Sequence, residues 1–78
     1  MINYFAVDDN TVMYHLEGSY AGLSFVIPKG SVVLVWETDI SIKYSINGKA
    51  LTLLRGNIRK WKKIPEYIYE WKLKELYK

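Results

Sequence analysis

No cysteine occurs among the 78 residues. Disulfides and cysteine-ligated metals are therefore excluded as staples, and the core has to be built from apolar side chains. Histidine occurs once, at His15, so nucleophile–base constellations of the usual kind have no material. Proline occurs twice, at Pro28 and Pro65. No apolar run approaches the length of a bilayer span. The start, Met1 to Val7, lacks the basic flank of a signal peptide and reaches acid at Asp8. Glycine-rich phosphate loops are missing, because Gly18 and Gly22 have neither the lysine nor the following helix that such loops require. Asp8-Asp9-Asn10 lacks the alternating ligands and distal glutamate of a calcium loop, and reads as a turn. These absences lead to the expectation of a soluble cytoplasmic protein that is not an enzyme and holds no cofactor or metal.

Acid is also scarce in the second half. Residues 1–42 carry Lys29 against five acids, for a charge of −4. Residues 43–78 carry ten basic side chains against Glu66, Glu70 and Glu75, for +7 and a net +3. An acidic partner or a polyanion would feel that end of the molecule first.

Half of the residues are hydrophobic, including seven Tyr, three Trp and two Phe. That suffices for one packed domain spanning 1–78. Most of it has a period of two. Ile2–Val7 is β-branched and aromatic, and Asp8-Asn10 then suggests a hairpin to Thr11–Leu16. In that second run Val12, Tyr14 and Leu16 share one face, and Thr11, Met13 and His15 the other. A lone strand histidine of this kind reads as a half-exposed structural residue. Leu23–Ile27 reads as a third strand. Val32–Trp36, apolar on both faces, reads as a central strand. Ile40–Ile46 alternates into Asn47-Gly48, the strongest two-residue hairpin signal. A two-residue loop there sets Tyr44 opposite Leu51 and Ile42 opposite Leu53. Residues 58–63 fit either a short strand or a lead-in to a helix. Pro65 suits the first turn of a helix over 64–78. The expected architecture is five or six antiparallel strands over 1–63, forming an SH3-like or OB-like small barrel or curled sheet, with one C-terminal helix.

That helix carries two apolar stripes. Ile64, Ile68 and Trp71 form one, with Tyr67 on its flank; Tyr69, Leu73 and Leu76 form the other. One sheet needs one stripe. The surplus motivates a docking surface made of Tyr69, Leu73, Leu76 and Tyr77, covered by a protein partner or a second copy of the chain. The function this favours is a small binding protein, an inhibitor or regulator of a larger intracellular protein. A membrane-surface role for the helix fits poorly, since that calls for one apolar and one polar face.

The alternative partner is nucleic acid. Arg55, Arg59, Lys60, Lys62 and Lys63 surround Trp61 within nine positions, and Lys43 and Lys49 extend the patch. Such cations neutralise phosphates, and an indole stacks on an unpaired base. Within this stretch, Leu54-Arg55-Gly56-Asn57-Ile58 is similar to the second part of the Sm motif, where an Arg-Gly pair lines a uridine pocket. The likeness covers about five residues. The helix stands at the opposite end from that family's, and the preceding strand lacks its Asp and Asn spacing. Small archaeal chromatin proteins share the barrel-plus-helix outline as an analogy of fold.

Overall fold

The computed structural model describes residues 1–78 as seven strands and a helix. The strands are β1 (Ile2–Val7), β2 (Thr11–His15), β3 (Ser24–Ile27), β4 (Val32–Glu37), β5 (Ile42–Ile46), β6 (Thr52–Gly56) and β7 (Trp61–Ile64); the helix is α1 (Glu66–Leu76). They form one antiparallel sheet in the order β3-β2-β6-β5-β4-β1-β7. The sheet is not closed, but it curls. Residues from both ends of that order, Met13 and Ile27 on one side and Val7 and Trp61 on the other, meet in one core with Val33, Val35, Tyr44 and Leu54. This is the concave face. β4 lies between β5 and β1 and has Val32, Val33 and Val35 buried on its two faces, as its unbroken apolar run requires.

Three expectations are corrected. First, β1 and β2 do not pair. β1 pairs with β4 and β7, and β2 pairs with β3 and β6. Asp8–Asn10 is a corner that carries the chain across the open side of the sheet. Its polar groups are used there: the Thr11 hydroxyl donates to the Asp9 carbonyl, and Asn10 Oδ1 accepts from the Lys29 amide. The corner is thus tied to the Pro28–Gly30 turn, where the Gly30 amide also donates to the Val7 carbonyl.

Second, the strand count is seven. Residues 61–64 form an edge strand on β1, and α1 begins at Glu66 rather than residue 64. Pro65 precedes the helix as its cap, and its carbonyl accepts from the amides of Ile68 and Tyr69.

Third, the β5–β6 register is shifted by one residue. Lys43 faces Leu53 and Tyr44 faces Thr52. Asn47 and Gly48 have φ of 52° and 79°, as the turn signal requires. The Lys49 carbonyl, however, is drawn inward by the Ser45 hydroxyl, which adds a residue to the loop. Asn47 is clamped from the other side, because its Oδ1 accepts from the Val32 amide and its own amide donates to the Val32 carbonyl. The shift sends Leu54 into the core and leaves Leu51 41% exposed.

The convex face of β7, β1 and β4 is covered by α1. Tyr69 is buried there with Val32 and Ile64; Tyr4, Ala6, Leu34, Ile68 and Leu73 pack around them. The Tyr4 and Tyr69 rings lie 4.8 Å apart. No helix is long and apolar enough to cross a membrane.

Candidate binding surfaces

The helix settles which of its stripes the sheet takes. Tyr69 is buried and Leu73 half-buried against the sheet, whereas Tyr67 and Trp71 are 72% and 58% exposed. Ile64 belongs to β7 and is buried beneath the helix. Of the four residues expected to dock a partner, Leu76 and Tyr77 remain on the surface. The Tyr77 hydroxyl donates to the Asn47 carbonyl and ties the helix end to the β5–β6 turn. The chain's own sheet therefore shelters the Tyr69–Leu73 stripe.

The basic segment is dispersed in space. Arg59 and Lys60 are exposed in the loop before β7, beside Asp9, with Lys60 Nζ 3.3 Å from the Asp9 carboxylate. Both partners of that pair are largely solvated, so it adds little stability. Lys62 and Lys63 are exposed on alternate faces of edge strand β7. Lysines on an edge discourage another sheet from pairing with it. Lys49 is exposed in the β5–β6 turn. Trp61 is no stacking platform: it is buried, packs near Phe5 and Tyr44, and donates its indole N–H to the Thr11 hydroxyl at 2.8 Å. Gly56, the second residue of the Sm-like pair, has a local structural reason. A Cβ there would lie 2.2 Å from Met13 Sδ and 2.7 Å from the Val12 carbonyl oxygen.

Two basic side chains of the set do lie together, on the part of the convex face that α1 leaves bare. Cross-strand neighbours share a face. The register therefore aligns Ile2, Trp36, Lys43 and Leu53 in one row over four strands. The Leu16 amide donates to the Leu53 carbonyl and extends the row to a fifth. Lys43 Nζ lies 6.0 Å from the Trp36 ring centre. In the adjoining rows Arg55 faces Tyr14, and Val12 faces Val26. Val12, Tyr14, Leu16 and Val26 are each about half exposed. This apolar field with Lys43 and Arg55 set into it is larger than the scattered apolar residues normal on a protein surface. Sequence reasoning did not place Tyr14, Leu16 and Trp36 here. The visible sign was the apolar Val12, Tyr14 and Leu16 face of β2, which is the exposed one, while Thr11 and Met13 on the other face are buried.

A cleft of about 790 Å³ opens at the concave side, between β3, the loop after β2 and the β5–β6 turn. Its wall is a run of rings: His15 stacks on Phe25 at 4.7 Å, and Tyr20 lies 5.7 Å from His15. Ile46 and Leu54 form its floor, and Glu17 and Lys49 stand at its rim.

Three tyrosines hold their protons more tightly than a free phenol. Burial raises Tyr44, with Glu37 adding to the effect. Burial also raises Tyr69, partly offset by the neighbouring Ser45 hydroxyl. Tyr4 is raised by desolvation first and then by the carboxylates of Glu66 and Glu70. All three serve packing.

Comparison with protein-family models, with curated proteins and with solved structures finds no match to this chain.

Proposed function

We propose that this protein acts by docking another protein onto the bare convex face of β6, β2 and β3. The observation that carries this reading is the continuous field of half-exposed Val12, Tyr14, Leu16 and Val26, joined through Leu53 to Trp36 and containing Arg55 and Lys43. Burying such side chains against a partner is favourable by roughly 25 cal/mol per Å² of apolar surface. Tyrosine, tryptophan and arginine are the residue types that concentrate interface energy. The two cations select a partner whose apolar patch is bordered by acid. The surplus helix stripe led to the expectation of docking; the surface proposed for it is now a sheet face rather than the Tyr69–Leu73 stripe. An inhibitor or regulator works by such an attachment without chemistry of its own.

The test is affinity capture from host extract with nuclease present, comparing the natural chain with Tyr14→Asp and Arg55→Glu. A specific protein is expected with the natural chain and absent with both variants, whose melting temperatures stay unchanged. Titration with single-stranded and duplex oligonucleotides decides the competing reading. Binding that weakens steeply with salt and is lost in Arg55→Glu would replace the protein partner with nucleic acid.

A further inference from the structure

The two free edges of the sheet are built differently. β7 carries Lys62 and Lys63 and runs directly into Pro65 and the helix. β3 reads Ser24-Phe25-Val26-Ile27, with no charge in the strand and proline only after its end. Charge and proline are the usual means of blunting an edge, and β3 has neither within it. Its hydrogen-bonding parity follows from its neighbour. The His15 amide donates to the Leu23 carbonyl, and the register sets Phe25 against Met13 and Ile27 against Thr11. The odd-numbered residues of β3 therefore point their main-chain groups at β2. Those of Ser24 and Val26 point out of the sheet. The ring-walled cleft lies alongside this edge, lined by Phe25 and Val26.

We propose that β3 accepts an extended segment of a partner protein as an eighth strand, with alternate side chains of that segment dropping into the cleft beside Phe25. Main-chain bonds to Ser24 and Val26 supply attachment, and the cleft supplies selection, because side chains alternate along a strand. Residues of the added strand opposite Phe25 share its concave face, toward the cleft that Tyr20, Ile46 and Leu54 also line. The segment that fits is free of proline and carries large apolar or aromatic side chains two residues apart. About 790 Å³ accommodates one or two of them.

A second copy of this chain is a poorer occupant. Four residues give about 13 Å of edge. A two-fold pairing along it joins only four residues from each copy, whereas even the smaller stable complexes bury roughly 600 Å² per partner. In two-fold pairing about Phe25, the copy would present a Phe25 already stacked on its own His15, and the cleft would stay unfilled. The inference goes beyond the convex-face reading and does not depend on it.

The test uses the full chain and a pool of phage-displayed random dodecapeptides. Enriched sequences are expected to alternate large apolar residues and to lack proline between them. A synthetic peptide of the best sequence is then followed by amide hydrogen exchange. Exchange at Ser24 and Val26 should slow by at least about tenfold when the peptide is bound. Ser24→Pro removes one outward amide and leaves the Leu23 carbonyl for His15; it should weaken the peptide about tenfold. Ala50→Trp, at an exposed position on the cleft, should weaken it to a similar or greater extent without touching the core, so the answer does not hang on how Ser24→Pro folds. Tyr14→Asp should leave peptide affinity unchanged, which separates this site from the convex face. Failure to enrich, unaltered exchange at Ser24 and Val26, or sensitivity to Tyr14→Asp alone would overturn the proposal. So would a concentration-dependent dimer abolished by Ser24→Pro, which would hand the edge to a second copy.

Discussion

Replacing Gly56 by alanine puts two physical effects in opposition, and the sign of the result decides between them. Glycine within a strand is ordinarily about 0.5–1 kcal/mol worse than alanine, because it loses more backbone freedom on folding. Propensity alone therefore has Gly56→Ala stabilise the protein. The structure says otherwise. Gly56 faces Met13 across the β2–β6 ladder, and its new Cβ would sit 2.2 Å from Met13 Sδ and 2.7 Å from the Val12 carbonyl oxygen. Met13 is fully buried, so its sulfur has little room to retreat. The Val12 carbonyl is backbone of a strand paired on both sides. Overpacking of this kind costs about 1–3 kcal/mol, and the backbone collision places Gly56→Ala in the upper part of that range. A net loss of about 2 kcal/mol corresponds to a melting temperature lower by roughly 8–16 °C for a domain of this size. Urea titration followed by far-ultraviolet circular dichroism, with scanning calorimetry in parallel, measures both quantities. Arg55→Ala, on the exposed neighbour, should stay within about 0.5 kcal/mol of the natural chain. An unchanged or raised midpoint in Gly56→Ala would show that β2 and β6 do not approach so closely, and the Arg-Gly pair would then need another explanation.

Three further outcomes are expected. Thr11→Val should cost about 1–3 kcal/mol in urea titration, because it strips the Trp61 indole of its buried acceptor while keeping the volume; a neutral result would mean that water reaches that N–H. Tyr69→Ala should cost about 3–5 kcal/mol, whereas Trp71→Asp on the opposite side of α1 should stay within about 0.5, and reversed values would mean the helix is turned about its axis. Stability should also fall in alkali. Tyr4, Tyr44 and Tyr69 all have folded-state pKa values raised above the ordinary 10.0. The unfolded chain therefore releases these protons first, and the stability is complete below pH 10.0 and drains away as pH climbs through the folded values. Thermal melts from neutral pH into that range, compared with Tyr44→Phe, measure this; a flat profile through pH 11, on the order of one unit above the free phenol, would contradict the assigned burial.

Much of the local structure was legible in the residues. Val32–Trp36 had to be central because no polar face was available to water. Asn47-Gly48 had to turn because both residues tolerate positive φ. The terminal run had Pro65 at its start and apolar residues at helical spacing. The candidate surfaces were less legible. Lys43 and Arg55 were singled out for charge, but Tyr14 reaches Arg55 from a strand far away in sequence, and Trp36 reaches Lys43 only through the β4–β5 register. Residues 55–63 looked like one patch because they are consecutive, yet a strand alternates its side chains, and one of them, Trp61, is worth more in the core.

What the sequence determined by itself is what short-range physics dictates: which stretches extend, where the chain bends, where the helix lies, and that two apolar stripes compete for one sheet. Which strands became neighbours was decided only in three dimensions. Asp8–Asn10 bears every mark of a hairpin turn, yet the Asn10 side chain bonds to the Pro28–Gly30 turn, and β2 lies on the far side of the sheet. The one-residue shift between β5 and β6 likewise involves Asn47 bonding across to Val32, while Ser45 holds the Lys49 carbonyl within the turn. The two helix stripes are nearly equal in apolar content, so composition could not choose between them. Packing of Tyr69 against Tyr4, Val32 and Ile64 made the choice, and it left the convex face of β2 and β3 as the apolar surface still open to a partner.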